Sequence, residues 1–269
     1  MSETYLAGEK KDDIFIISLN RPEKRNAITV EMFSGICELA EGQADDPEIR
    51  AIILKGAGEM FSAGVDFNSL GAEVGACLGA AGAGGASLRA LTYRFQQYFN
   101  RLEAVEIPII CAMHGRALGL GIELALACDI RLMSDDCIWA MPELKLGVIA
   151  DVGGTSRLAR LMGPSRAMEI LLTARDYTAR QALDWGLVNY IYPAKDLLAE
   201  AEKMVRDMSV TAPLAGGAAK KIIKRGDGVD LMTQLDMEAN HNSILLRTED
   251  FQEGLTAMME KRPPKWKKR

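Results

Sequence analysis

Three carboxylates, Glu123, Glu143 and Asp151, fall within one short reach of a chain of 269 residues, each close to glycine or proline in otherwise apolar sequence. Like charges gathered in a poorly solvated site disfavour full ionisation, so a proton is expected to be shared among them. That is the equipment of general acid and base chemistry. The same reach has something to offer negative charge. The apolar run 109–113 reads as a buried strand, Gly115, Gly119 and Gly121 as a turn, and residues 122–128 as a helix. Glycine lets backbone approach a ligand with no Cβ in the way, and the first N–H groups of a helix are unpaired and partly positive, so an oxyanion would be welcome there.

Other elements have to position that stretch. Residues 4–10 and 13–19 pattern as a strand pair around Lys11 and Asp12, because the run IFIISL is rich in β-branched and aromatic residues. After a polar loop, NRPEKRNAIT, Thr29 can cap a helix reaching about Gln43, with Met32, Phe33, Ile36, Leu39 and Ala40 on one face. Residues 51–55 form a second buried strand, and strand, helix, strand predicts a parallel crossover. A second glycine-rich turn follows that strand in GAGEMFSAGVDFNSL. The next segment, residues 71–87, is so dominated by glycine and alanine that a mobile loop is expected, with Ser87 capping a long amphipathic helix to about Glu103. From Asp196 nearly everything reads as amphipathic helix. The chain is therefore divided into an α/β core, residues 1–194, and a helical region, residues 195–269, whose apolar faces meet either the core or another subunit.

With 48% apolar residues the chain can bury a sizeable core. The five cysteines are odd in number and scattered, so they are expected to be reduced and mostly buried, as in a cytoplasmic protein. No signal-like start and no run long enough to span a bilayer is found, and neither secretion nor membrane insertion is expected. A net charge of -5 argues against general nucleic-acid binding; the basic tail KRPPKWKKR is expected to be a solvated end or a contact for a phosphorylated ligand. Two histidines, neither near a cysteine cluster, give a metal site little to be built from, and none is expected.

The segments LNRPEKRNAI, FSAGVDF, ALGLGIELALACD, PELKLGV with DVGG, and EGLTAMMEKRPP, in this order, resemble the crotonase family, also called the enoyl-CoA hydratase/isomerase superfamily. The resemblance implies a crotonase-like α/β spiral of ββα units with a C-terminal helical trimerisation region, assembled as a homotrimer or a homohexamer of two trimers. It implies an acyl-CoA thioester as substrate, with CoA part of that substrate and no separate cofactor. The thioester oxygen would be held by the backbone N–H groups of Val65 and Leu120, and Glu123 and Glu143 would match the acid/base pair of the hydratases. Lys24 and Arg25 are the implied phosphate or adenine neighbours of CoA, with Ala27, Ala63, Asp66 and Phe67 offering mainly backbone contacts. Lys261 matches a position that reaches the nucleotide from an adjoining subunit.

Asp151 complicates the assignment. Hydratases typically carry a small or apolar residue there, whereas ADVGG resembles the dienoyl-CoA isomerases, in which a further acid moves a proton along the acyl chain. In that group the residue matching Glu123 is usually aspartate, so this sequence is mixed. Plainer readings also stand: Glu123 as a residue favouring a helix N-terminus, Glu143 as a solvated loop residue, and Asp151 as an ion-pair partner of Arg157. Hydration of a trans-2-enoyl-CoA is the first expectation, a dienoyl-CoA isomerase using Glu143 and Asp151 the second, and a catalytically idle relative that binds RNA or a protein the third.

Overall fold

The structure, a computed structural model, describes residues 5–79, 84–226 and 228–268. Its main sheet is built from β1 (Leu6–Lys11), β2 (Ile14–Leu19), β3 (Ala51–Gly56), β4 (Ile109–Met113), β6 (Ile130–Ser134) and β9 (Tyr190–Tyr192), in that spatial order. The β1/β2 hairpin is antiparallel and every other pairing in this sheet is parallel. Alternation along the strands sorts the core into two layers, as the period of two requires. Ile17, Leu19, Ile52, Leu54, Ile109, Cys111 and Met113 join one hydrophobic cluster, and Ile14, Ile16, Ile53, Ile110 and Ala112 join the other.

The first layer is covered by α1 (Val30–Glu41), α3 (Gly84–Ala104) and α4 (Leu120–Ala127), which contribute Phe33, Phe99 and Ile122 to that cluster. Thr29 caps α1 as expected by accepting from Met32 N, an interaction worth about 1 kcal/mol. The second layer is covered by α8 (Leu197–Asp207), whose Leu197, Ala201 and Val205 pack on the sheet. A smaller sheet, β5 (Arg116–Leu118), β7 (Ile138–Ala140) and β8 (Tyr177–Thr178), stands beside the first. Between these elements lie α5 (Gly154–Met162), α6 (Pro164–Thr173) and α7 (Ala179–Asp184), and the chain ends in α9 (Pro213–Gly226), α10 (Leu231–Leu245) and α11 (Glu249–Glu260). Among the described residues no helix is long and apolar enough to cross a membrane.

Two local expectations are overturned. The glycine- and alanine-rich segment is helical where it is described: α2 runs Phe67–Gly79 and packs on α3, which already begins at Gly84, so Ser87 lies inside its first turns instead of capping it. Residues 80–83 of that segment lie outside the described residues. Alanine is the strongest helix former, and the Asp66 carboxylate starts α2 by accepting from Asn68 N and Ser69 N, both at 3.0 Å. The basic tail is docked, not solvated: Trp266 Nε1 donates to Ser209 O, the amides of Lys267 and Lys268 donate to the buried Asp250 carboxylate, and Lys268 Nζ donates to Asp46 O and Ile49 O. Four of the five cysteines are buried and all are free thiols, as expected.

Candidate active site

β3 and β4 are parallel neighbours, with Lys55 opposite Ala112, so the glycine-rich turns that leave their C-terminal ends are delivered side by side. They are then knitted together. Phe61 N donates to His114 O, Ser62 N to Arg116 O and Leu118 N to Ser62 O, while Gly119 N donates to Ala140 O and ties the second turn to β7. Close approach at two glycines makes this possible. A Cβ on Gly115 would stand 2.1 Å from Glu59 O, and one on Gly121 would stand 2.9 Å from Ser62 Cβ.

The first turn is held from below by Asn26, fully buried in a left-handed conformation, whose Nδ2 donates to Ala57 O and Met60 O while its Oδ1 accepts from Arg21 N. Ile28 N donates to Gly64 O and Asp66 N to Ile28 O, which leaves Val65 N–H facing away from this bridge. Leu120 is the first residue of α4. Among the described residues neither the Val65 nor the Leu120 N–H has a backbone or side-chain acceptor. A Cβ on Gly64, the residue before Val65, would lie 3.7 Å from Leu120 N, so the first turn lies against the start of α4.

Two of the carboxylates lie close to the second turn. Glu123, in the first turn of α4 and 3% exposed, accepts at Oε1 from Gly154 N at 2.7 Å and Val152 N at 3.1 Å. Burial, with the charges of Glu143 and Asp151 added, pushes its pKa up to about 8 against the pull of those two donors. Gly154 has to be glycine for this contact, since a Cβ would stand 2.9 Å from Glu123 Oε1 and 2.5 Å from Ala150 Cβ. Glu143 opens a short 3-10 turn after β7, and a Cβ on Gly119 would stand 2.7 Å from its Oε1. Its other oxygen is buried without a hydrogen-bond partner among the described residues, and burial, then Asp151, raises its pKa. Neither glutamate is the plain solvated or capping residue that its sequence position also allowed.

Asp151 is exposed and accepts at Oδ2 from Thr92 Oγ1 of α3 at 3.1 Å. The expected alternative, an ion pair with Arg157, is not formed: Arg157 pairs with Glu103, and its Nη1 donates to Val152 O instead. Sequence reading missed Thr92 and Gln96. Their signal was a polar row on α3, Thr92, Gln96, Asn100 and Glu103, at one-turn spacing on an otherwise amphipathic helix.

Of the residues expected near CoA, Lys24, Arg25 and Ala27 are brought beside Ala63, Asp66 and Phe67, because Ala63 N donates to Arg25 O and Arg21 Nη1 bridges Ala27 O and Asp66 Oδ2. Asp66 is spent on Arg21 and on capping α2. Lys261, exposed at the end of α11, shares no hydrogen bond or ion pair with that loop among the described residues. A cavity of about 880 Å³ is bounded by Asp151, Arg157, Glu103, Lys224 and Gln234, and is lined by neither Glu123 nor Glu143.

Comparisons with known proteins agree on one family. The model of the enoyl-CoA hydratase/isomerase family matches residues 9–269. A probable enoyl-CoA hydratase of Mycobacterium tuberculosis is 35% identical over 98% of this chain and 98% of its own length. A mitochondrial Delta(3,5)-Delta(2,4)-dienoyl-CoA isomerase of Rattus norvegicus is 35% identical over 98% of this chain and 81% of its own. The crystal structure of an enoyl-CoA hydratase from Bacillus anthracis superposes with a TM-score of 0.88 at 31% identity, covering 99% of this chain and 100% of that one. The α/β fold described above is thus that of the crotonase-fold hydratases.

Proposed function

Since the chain belongs to the enoyl-CoA hydratase/isomerase family, we propose that it adds water reversibly across the double bond of a trans-2-enoyl-CoA thioester. The observation that supports this is Glu143 Oε1 lying against Gly119, with Glu123 in the first turn of α4, directly after that turn and Leu120, and within reach of the Glu143 charge. As water attacks Cβ, negative charge grows on the thioester oxygen, and the N–H groups of Val65 and Leu120 form the oxyanion hole that receives it. Losing one such donor typically costs about 2.7 to 4 kcal/mol of transition-state stabilisation.

The glutamates enter the reaction with one proton between them. The ionised member takes a proton from the attacking water, the protonated member delivers its own to Cα, and the pair again holds one proton at the end. Burial with mutual repulsion supports this shared state near neutral pH. The unpartnered Glu143 Oε2 is suited to receive the water. CoA belongs to the substrate and no separate cofactor enters. Lys24 and Arg25 would meet its phosphates or adenine, Ala27, Ala63, Asp66 and Phe67 its remaining contacts through the main chain, and Lys261 the nucleotide of a neighbouring subunit. Assembly as a homotrimer or a pair of trimers is supported by α10, which buries none of its residues and exposes Leu231, Met232 and Ile244 at 68%, 67% and 66%. The free thiols support a cytoplasmic setting.

A second reading, a dienoyl-CoA isomerase using Glu143 and Asp151, is favoured by the charge of Asp151, which acts on both glutamates. Incubation with crotonyl-CoA and with a 3,5-dienoyl-CoA separates the two. Water addition to crotonyl-CoA that is lost in Glu143→Gln supports hydration; a rapid diene shift without water addition overturns it. Turnover unchanged in Glu143→Gln would remove this pair from catalysis, and no turnover of either thioester by the wild type would leave a binding protein.

A further inference from the structure

We propose that Arg157, a residue of α5 braced against α3, is the positioning residue for the Glu123 carboxyl, holding the loop and helix start whose amides grip that group. The inference rests on the reading of Glu123 as a working acid.

Glu123 Oε1 is fixed by two N–H groups, that of Val152 in the loop 151–153 and that of Gly154, the first residue of α5. Such a loop holds a carboxyl in one place only if its own backbone is held, and its carbonyls show how. Ala150 O accepts from Thr155 N and Thr155 Oγ1, Asp151 O accepts from Gln96 Nε2 at 2.7 Å, and Val152 O accepts from Arg157 Nη1 at 2.9 Å. Three successive carbonyls are satisfied, two of them by long side chains. Gly153 is part of the device. A Cβ there would stand 1.8 Å from Arg157 Nη1, so only glycine lets the guanidinium lie across the loop.

Arg157 is in turn clamped on α3. Its Nε and Nη2 donate to the Glu103 carboxylate at 3.2 and 2.8 Å, and Nη2 also reaches Asn100 Oδ1 at 3.0 Å. With side chains only 15% and 24% exposed, this fork is shielded from solvent, and its planar geometry is one that lysine cannot reproduce. Four of the five N–H donors of the guanidinium are thereby committed inside the protein. The polar row of α3 thereby finds its use: Gln96, Asn100 and Glu103 all act on residues 151–157, either directly or through Arg157.

The charged groups facing Glu123 are Glu143, from the turn after β7, and Asp151, from the loop itself. Behind the loop Arg157 is balanced by Glu103, which also pairs with Lys224 of α9, and Arg160 lines the same cavity. Releasing the loop weakens the two amide contacts that favour the ionised carboxyl while the facing carboxylates remain, so Glu123 should hold its proton more tightly.

Titration of carboxyl resonances in protein carrying ¹³C-labelled glutamate reads this without any substrate, with Glu123 assigned by the signal that Glu123→Gln removes. Arg157→Gln and Glu103→Gln are expected to raise the midpoint, cutting the ionised fraction near neutral pH by about threefold to tenfold. Arg157→Lys, which keeps the charge and loses the fork, should move it likewise. A midpoint that stays or falls in folded Arg157→Gln overturns the proposal, and so does a wild-type titration in Arg157→Lys, which would make charge alone sufficient. Should Arg157→Gln not fold, Gln96→Ala and Asn100→Ala each remove one prop and must show a smaller rise; no rise in either is equally fatal. In active enzyme the same variants should lower kcat by about tenfold or more with KM within about twofold, as expected for a group realised in the transition state. A wild-type protein that fails to hydrate crotonyl-CoA overturns the functional reading while leaving the titration result to stand by itself.

Discussion

Replacing Glu123 by glutamine is expected to exchange activity for stability, with a pH dependence that identifies the cause. The carboxyl is 3% exposed, and burial, followed by the charges of Glu143 and Asp151, lifts its pKa from 4.5 to about 8. An acid whose folded-state pKa lies above its unfolded value binds its proton more tightly in the folded protein. Between pH 4.5 and about 8 the unfolded chain therefore carries fewer protons, and stability falls as pH rises. At about 1.36 kcal/mol per pH unit the whole displacement is on the order of 5 kcal/mol. Because the carboxylates titrate together, roughly 2 to 4 kcal/mol is expected for Glu123 itself. Glutamine keeps an oxygen for Val152 N and Gly154 N and removes the charge. The margin of Glu123→Gln over wild type should be near zero around pH 5, open across neutrality and level off around pH 9, as urea denaturation of both proteins would read. Hydration activity should fall by about 10²- to 10⁴-fold in the same variant. A constant offset between the two proteins, or a wild type that gains on the variant as pH rises, would refute the account of a desolvated carboxyl.

Two further substitutions probe the scaffold of the site. Gly119→Ala places a Cβ 2.7 Å from Glu143 Oε1 on a residue with φ +49°, so about 1 to 3 kcal/mol of strain and a displaced Glu143 are expected, read as a lowered melting temperature together with a kcat loss. Asn26→Ala strips Ala57 O and Met60 O of their buried donor and should cost about 3 kcal/mol or more in urea denaturation, with the Val65 turn loosened; a loss under about 1 kcal/mol would show that water replaces the amide.

The meeting of the two turns was legible in the sequence because each follows a buried strand, and parallel strands joined by crossovers present their C-terminal ends on the same side. Glu123 was legible for a related reason: a residue one turn into a helix that starts at Leu120 must sit close to the turn that precedes it. The glycine- and alanine-rich segment was misjudged because glycine argues for a loop and alanine for a helix, and the deciding group, the Asp66 cap, precedes the segment. The tail was misjudged because its composition is that of a solvated end, whereas its partners, the Asp250 carboxylate and the Ser209 carbonyl, are supplied by elements distant in the chain. Asp151 and Arg157 are near enough in sequence to pair, yet the start of α5 carries the guanidinium across Gly153 toward Val152 O and Glu103, and only the path of the helix decides that.

Asp66 shows what such hidden partners imply for recognition. Its carboxylate is consumed by Arg21 at 3.0 Å and by the first amides of α2, and the Ser69 amide first, then Arg21, hold its pKa below the usual carboxylate range against the opposing effect of burial. The side chain thus has its charge committed inside the protein, and what this turn offers outward at residues 63–67 is main chain and the exposed ring of Phe67. A ligand meeting it would be read by the shape of the turn, with positive charge available from Lys24 and Arg25 on the adjoining loop. Neutralising those two should therefore weaken binding in a salt-dependent way without moving kcat, whereas Asp66→Asn should act through the fold, lowering stability by about 1 to 2 kcal/mol as a cap and an ion pair are lost together.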